Sequence, residues 1–194
     1  MHDNDPRFKL IQLLKTYRPI NPADQAQADR LHVFVESNEN CFERSNLAGH
    51  VTGSAWLVDL TGTEVLLTHH KKLGRWLQLG GHCDGKSDVL AVAQREAEEE
   101  SGLKNIDVLS YEIFDLDVHL IPARGVEPEH FHYDVRFALQ ARGSNDFIVS
   151  KESNQLAWVV IDRLENISKE PSLLRMKQKW QQSRHSGEGR NPRS

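Results

Sequence analysis

A chain of 194 residues, 38% hydrophobic and 27% charged, has the size of one domain and enough apolar residues to bury a core. Its net charge of -4 argues against a general nucleic-acid binder, which needs clustered Lys and Arg, and two cysteines, Cys41 and Cys83, are too few for a disulfide framework. The opening MHDNDPRFKL has no apolar h-region and no run reaches the length of a membrane span, so a cytoplasmic protein that avoids membranes is expected.

In chain order, Asp5-Pro6 and Asn21-Pro22 each place a capping side chain before a proline, which predicts two helices. The first runs to about Tyr17, with Leu10, Ile11, Leu13 and Leu14 among its apolar positions. The second turns Leu31, Phe34 and Val35 inward and ends near Asn38. From His50 the pattern becomes strand-like. Val51 to Leu60 and Glu64 to Thr68 read as strands joined at Thr61-Gly62-Thr63. The polar segment HHKKLGR then leads to Trp76 and the pair Gly80-Gly81. A helix follows, and Ile106 to Leu120 and Phe131 to Ala141 read as two long strands separated by a Pro- and Gly-containing loop. Leu156 to Ile161 is a short buried strand and Ser172 to Gln182 a last helix. The tail RHSGEGRNPRS lacks apolar residues and reads as disordered. The expected organisation is a helical extension over residues 1–40, a core domain over 41–183 and a tail over 184–194. Strands and helices in this order predict an α/β sandwich around a mixed sheet.

The chemistry concentrates between Gly80 and Leu103. Asp88 or Ser87 can cap the helix and Gly102 can end it in a left-handed conformation. With Glu96 at zero and about 100° per residue, Val89, Val92, Ala93 and Leu103 lie within about 60° of it. Glu99 and Glu100 fall within the same arc, whereas Glu98 sits near 200° on the solvent side. Glu96, Glu99 and Glu100 therefore project from the face that is apolar earlier in the helix. Carboxylates crowded on a half-buried face repel one another, and a hard divalent cation, Mg²⁺ or Mn²⁺, relieves the conflict. The competing reading is a solvated acidic helix end with Arg95 paired to Glu99. Gly80-Gly81 shifts the balance, since main chain can approach a ligand there and offer a carbonyl.

This segment resembles the Nudix box: a glycine, five residues, a glutamate, seven residues, then Arg-Glu-apolar-any-Glu-Glu-any-Gly-apolar. Gly81, Arg95, Glu96, Ala97, Glu99, Glu100, Gly102 and Leu103 match it. Ser87 stands where the first glutamate belongs, with Asp84 and Asp88 as candidates to support the loop instead, and Leu79 replaces the usual proline. The resemblance implies an α/β/α sandwich, here with an N-terminal helical extension, and Mg²⁺- or Mn²⁺-dependent hydrolysis of a nucleoside diphosphate linked to another group. It implies Glu96, Glu99 and Glu100 as side-chain metal ligands, Gly80 as a main-chain ligand, and Arg95 as a brace for a box carboxylate. The ions would neutralise the pyrophosphate and activate the attacking water. Glu152 is preferred as general base over Glu127 and Glu129, because in similar proteins that loop often reaches the metal. The implied partner is a small nucleotide-type substrate; relatives commonly pair, so a homodimer is one option, with the N-terminal helices able to cover the partner.

Strand alternation suggests a pocket wall. Asp115, Asp117 and His119 share one face, and so do His130, His132, Asp134 and Arg136. If these strands pair, they make a polar wall for a phosphorylated substrate or a second metal position; the alternative is an ordinary wet sheet face. His69, His70, Lys71, Lys72 and Arg75 form a basic loop before Trp76 that can receive phosphate charge or simply face solvent. His82 lies inside the motif loop beside Cys83, which reads as an inert buried thiol. The other functional classes are a catalytically silent ligand sensor and an isomerase on the same fold.

Overall fold

A computed structural model describes residues 2–71, 73–143, 146–148 and 153–188, with the side chains of 153, 154 and 186–188 left aside. Two helices open the chain, α1 (Phe8–Thr16) and α2 (Pro22–Ser37). Asn21 caps α2 by accepting from the Asp24 amide at 2.8 Å, as its place before a proline predicts. Asp5 instead accepts from the Arg7 amide and guanidinium, and α1 begins at Phe8 without a side-chain cap. Leu10, Ile11, Leu14, Leu31, Phe34 and Val35 are buried in the same hydrophobic cluster as the sheet.

The strands are β1 (Gly49–Val58), β2 (Glu64–His70), β3 (Arg75–Leu77), β4 (Leu79–His82), β5 (Ile106–Val108), β6 (Asp115–Ile121), β7 (His130–Ala141) and β8 (Ser153–Val160). The remaining helices are α3 (Val89–Ser101), a short 3-10 helix (Ile161–Asn166) and α4 (Pro171–Glu188). The eight strands form one mixed sheet. Its centre is β1 paired parallel to β7, while β4 pairs antiparallel with β1, β6 with β7, and β2 with β8. Helices flank this curled sheet to give the expected α/β/α sandwich. The span expected as one strand from Ile106 to Leu120 is two, β5 and β6, both pairing β7 and separated by residues 109–114. The stretch 76–82 around Trp76 and the glycine pair, given no element of its own in the sequence, falls with Arg75 into two short strands whose pairing to β2 and β1 fixes the glycine pair against the sheet. Of the tail, residues through Glu188 continue α4, and 189–194 lie outside the described residues.

Two local features set the position of α3. At Gly53 of β1 a Cβ would stand 2.8 Å from the Val89 carbonyl oxygen and 3.1 Å from Val92 Cγ1, so glycine permits the helix to lie directly on the strand. Val92, Ala93 and Ala97 are essentially solvent-free on the packed face. Gly102 closes the helix at φ 72°, with its amide donating to the Glu98 carbonyl at 2.8 Å.

Charge is buried elsewhere in the sheet. Asp115 is solvent-free and accepts from Arg136 at 3.0 Å, from Arg175 at 2.8 Å and from Lys179 at 2.7 Å. Lys179 also pairs with Asp24 at 2.8 Å and donates to the Tyr17 hydroxyl, which itself donates to Asp24 at 2.6 Å. The network ties α2, β6, β7 and α4 together. Among the described residues no helix is long and apolar enough to cross a membrane.

Candidate active site

The box carboxylates meet the glycine pair. Glu100 Oε2 accepts from the Gly80 amide at 3.0 Å. A Cβ at Gly81 would stand 2.5 Å from the Glu96 carboxylate carbon, so that carboxylate lies in space only glycine leaves open. Glu96 and Glu100 are half-buried, and Glu99, at the edge of the packed face, is exposed. Glu98, expected on the solvent side, is half-buried as well. Hence the main chain of Gly80-Gly81 and two carboxylates one turn apart on α3 share one small space.

Arg95 turns to Glu96 at 2.5 Å and to the His82 carbonyl at 3.2 Å, not to Glu99. It therefore links the box helix to β4. Ser87 leaves the loop without the box's first glutamate, and support arrives from the N-terminal side. Arg44 makes a two-pronged pair with Asp84 at 2.5 and 2.7 Å, and Lys9 of α1 pairs with Asp88 at 2.7 Å. Asp88 also caps α3 through the Ala91 amide. The Gly85 amide donates to the Phe42 carbonyl at 3.0 Å, with the Glu43 carboxylate filling the space a side chain at Gly85 would take. Asp84 and Asp88 are the two carboxylates the sequence offers for this support, whereas their partners Arg44 and Lys9 lie far upstream and the box pattern gives no hint of them.

The two polar faces do pair: Asp115 stands opposite Arg136, Asp117 opposite Asp134 and His119 opposite His132. The wall divides in two. Its lower part is buried charge, where Asp134, only 2% exposed, accepts from Thr52, Ser54, Gln78 and Arg136. The upper part is a histidine cluster. His50 of β1 lies between His82, His130 and His132, at ring-centroid distances of 5.0, 5.0 and 4.8 Å. His119 adds a ring 5.6 Å from His132. Burial, then neighbouring charge including Arg44, lowers His50 and His82 to about 4. Burial and the surrounding imidazoles lower His132 to about 2. His50 was missed in the sequence because it precedes the strand expected to start at Val51, and the parallel register with β7 that carries it into the cluster is not visible in a single chain.

The remaining candidates fall in other places. Arg75 pairs with Glu170 at 3.1 Å, and Trp76 meets the His69 ring edge-on at 5.3 Å. Glu127 and Glu129 are exposed. Glu152 and Lys72 lie outside the described residues. Both cysteines are buried, and burial pushes the Cys41 thiol up to about 12 and the Cys83 thiol higher still, in accord with an inert thiol at Cys83.

A curled mixed sheet between helices, with a glycine pair facing a carboxylate-bearing helix, defines an α/β/α sandwich of the Nudix class. The chain belongs to the Nudix family, whose domain model matches residues 50–179, and is thereby a hydrolase of the class that acts on pyrophosphate bonds. The fold is similar to that of an Ap4A hydrolase from C. elegans, at 16% identity and TM-score 0.57 over 70% of this chain and 98% of that one. It is also similar to the Nudix hydrolase RenU of M. smegmatis, at 20% identity and TM-score 0.50 over 75% and 91% of the two chains. A MutT protein from Methanosarcina mazei Go1 aligns at 15% identity and TM-score 0.51, over 70% and 95%. No curated protein matches the chain.

Proposed function

We propose that this protein hydrolyses a small nucleoside diphosphate derivative with Mg²⁺ or Mn²⁺ bound at the Gly80–Glu100 site. The observation that carries this reading is the convergence of Glu96 and Glu100 on the Gly80-Gly81 main chain. Carboxylate oxygens with a nearby peptide carbonyl are the donors that a hard divalent ion prefers, so the residues fit the ion. Glu96, Glu99 and Glu100 would hold it with the Gly80 carbonyl. When bound, such an ion supplies charge neutralisation at the pyrophosphate and a lowered pKa for water.

The chain's own residues supply position. Arg95 holds Glu96 and the β4 carbonyl together, which keeps that carboxylate aimed at the glycine pair. Arg44 and Lys9 keep the intervening loop against the domain. Glu152 serves as general base for the water, with Glu127 and Glu129 as the alternatives. Arg75, Trp76 and His82 flank the glycine pair in the sequence and supply contacts to the substrate. Positioning and charge stabilisation are the main demands of phosphoryl chemistry.

The test is a panel of nucleoside diphosphate derivatives assayed with Mg²⁺ and with Mn²⁺, with products identified and the reaction repeated in ¹⁸O-water. Metal-dependent cleavage of a pyrophosphate bond with label in one phosphate product supports the reading. Substrate binding without turnover across the panel would make the chain a sensor instead.

A further inference from the structure

The histidine cluster has features that packing does not explain. His50 is 4% exposed, yet neither of its ring nitrogens has a hydrogen-bond partner among the described residues. A buried imidazole left without partners is costly, and such groups are normally satisfied by protein, water or an ion. Ring nitrogens of His50, His130 and His132 all come within 4.8 Å of one another.

The orientation of the rings narrows the choice. His130 Nδ1 lies 2.9 Å from the Pro128 carbonyl, which can only accept, so in the neutral ring Nδ1 carries the proton and Nε2 presents a lone pair. That Nε2 is 3.3 Å from His132 Nε2, a hydrogen bond when one of the two carries a proton and a spacing for two ligand nitrogens when neither does. Two nitrogens on one tetrahedral ion at usual zinc–imidazole bond lengths stand about 3.3 Å apart. A backbone carbonyl on the far nitrogen is also the common outer support of a ligating histidine. The adjacent His119 has a similar arrangement, with Nδ1 3.1 Å from the Asp117 carboxylate.

We infer that His50, His130 and His132 form a binding site for a divalent transition-metal ion of the zinc type, separate from the carboxylate site on α3. Imidazole nitrogens favour Zn²⁺, Co²⁺ or Ni²⁺ over Mg²⁺, whereas the box carboxylates have the opposite preference. Three imidazoles leave a fourth position open on a tetrahedral ion, and the rings of His82 and His119 stand against His132. The ion would pin the start of β1 to the start of β7 beside β4, which ends at His82 and leads into the box loop.

The test uses untagged full-length protein stripped with chelator and titrated with Zn²⁺ and with Co²⁺ in excess Mg²⁺. One ion should bind per chain, and Co²⁺ should show the visible absorption of a low-coordinate, nitrogen-ligated site. His130→Ala, a change at a partly exposed residue, should weaken Zn²⁺ binding by more than about 100-fold while circular dichroism and thermal unfolding stay close to the parent. His50→Gln gives a second reading of the same site. A Glu99→Gln/Glu100→Gln double variant should retain the Co²⁺ spectrum. Absence of Zn²⁺ and Co²⁺ binding in excess Mg²⁺, or binding that survives the histidine changes and is lost with the glutamates, would overturn the inference.

Discussion

Replacing Asp115 by alanine is the sharpest test of how the sheet is held to its flanking helices. The carboxylate is solvent-free and takes donors from Arg136 and from both Arg175 and Lys179 of α4. Its removal strips each of these cations of a partner at 3.0 Å or less in a place water does not reach. Breaking a buried pair in this way costs about 3–5 kcal/mol. At roughly 2–4 °C per kcal/mol for a chain of this size, the melting temperature should fall by on the order of 10 °C. Asp24, Asp117 and Asp134 still neutralise much of the cationic charge, so collapse of the fold is not expected. Urea unfolding of parent and variant, at constant m-value, measures the difference. Asp115→Asn, which keeps one acceptor oxygen, should fall between them. A loss for Asp115→Ala of less than about 1 kcal/mol, the size of an exposed pair, would refute the reasoning.

Other outcomes follow from the same geometry. Glu100→Gln or Glu99→Gln should lower turnover by orders of magnitude with unchanged circular dichroism, as read in a metal-supplemented hydrolysis assay. Gly53→Ala should push α3 off β1, because the added carbon meets the Val89 carbonyl and the Ala93 amide. The expected destabilisation is about 1–3 kcal/mol, with a raised Mg²⁺ requirement measured by activity against ion concentration. For pH, burial opposes ionisation of Asp24, but bonds from Lys179, Tyr17 and the Ile20 amide outweigh it and lower its pKa. A depressed carboxyl contributes stability above its unfolded value of about 3.9 and loses it as pH falls through the folded value. Stability should therefore drop below about pH 4, and Asp24→Asn should flatten that limb in urea titrations at stepped pH.

The parts legible in the sequence are those written in local pattern. Asn21-Pro22 gave the start of α2, the apolar spacing of α3 gave its buried face, and the box motif gave the fold. What escaped depends on partners distant in the chain. Strands β3 and β4 are too short to show a period and exist because β1 and β2 pair with them. The long run after Ile106 alternates like one strand, but its middle is released from β7. The candidate site was read at its carboxylates and only partly at its histidines. His50 belongs there through the register His50↔His132, which no local pattern encodes. Arg44 and Lys9, which support the loop, likewise belong to no motif or periodic pattern that would single them out.

The claim at the centre is that the carboxylates gathered at Gly80-Gly81 make the chain a divalent-ion-dependent pyrophosphohydrolase. The direct measurement is product release from a panel of nucleoside diphosphate derivatives by parent protein and by Glu99→Gln/Glu100→Gln, each with Mg²⁺, with Mn²⁺ and with chelator. Cleavage of at least one compound by the parent with metal, lost on chelation and in the double variant, is the expected result. Equal turnover in parent and double variant, or turnover indifferent to chelator, would contradict it.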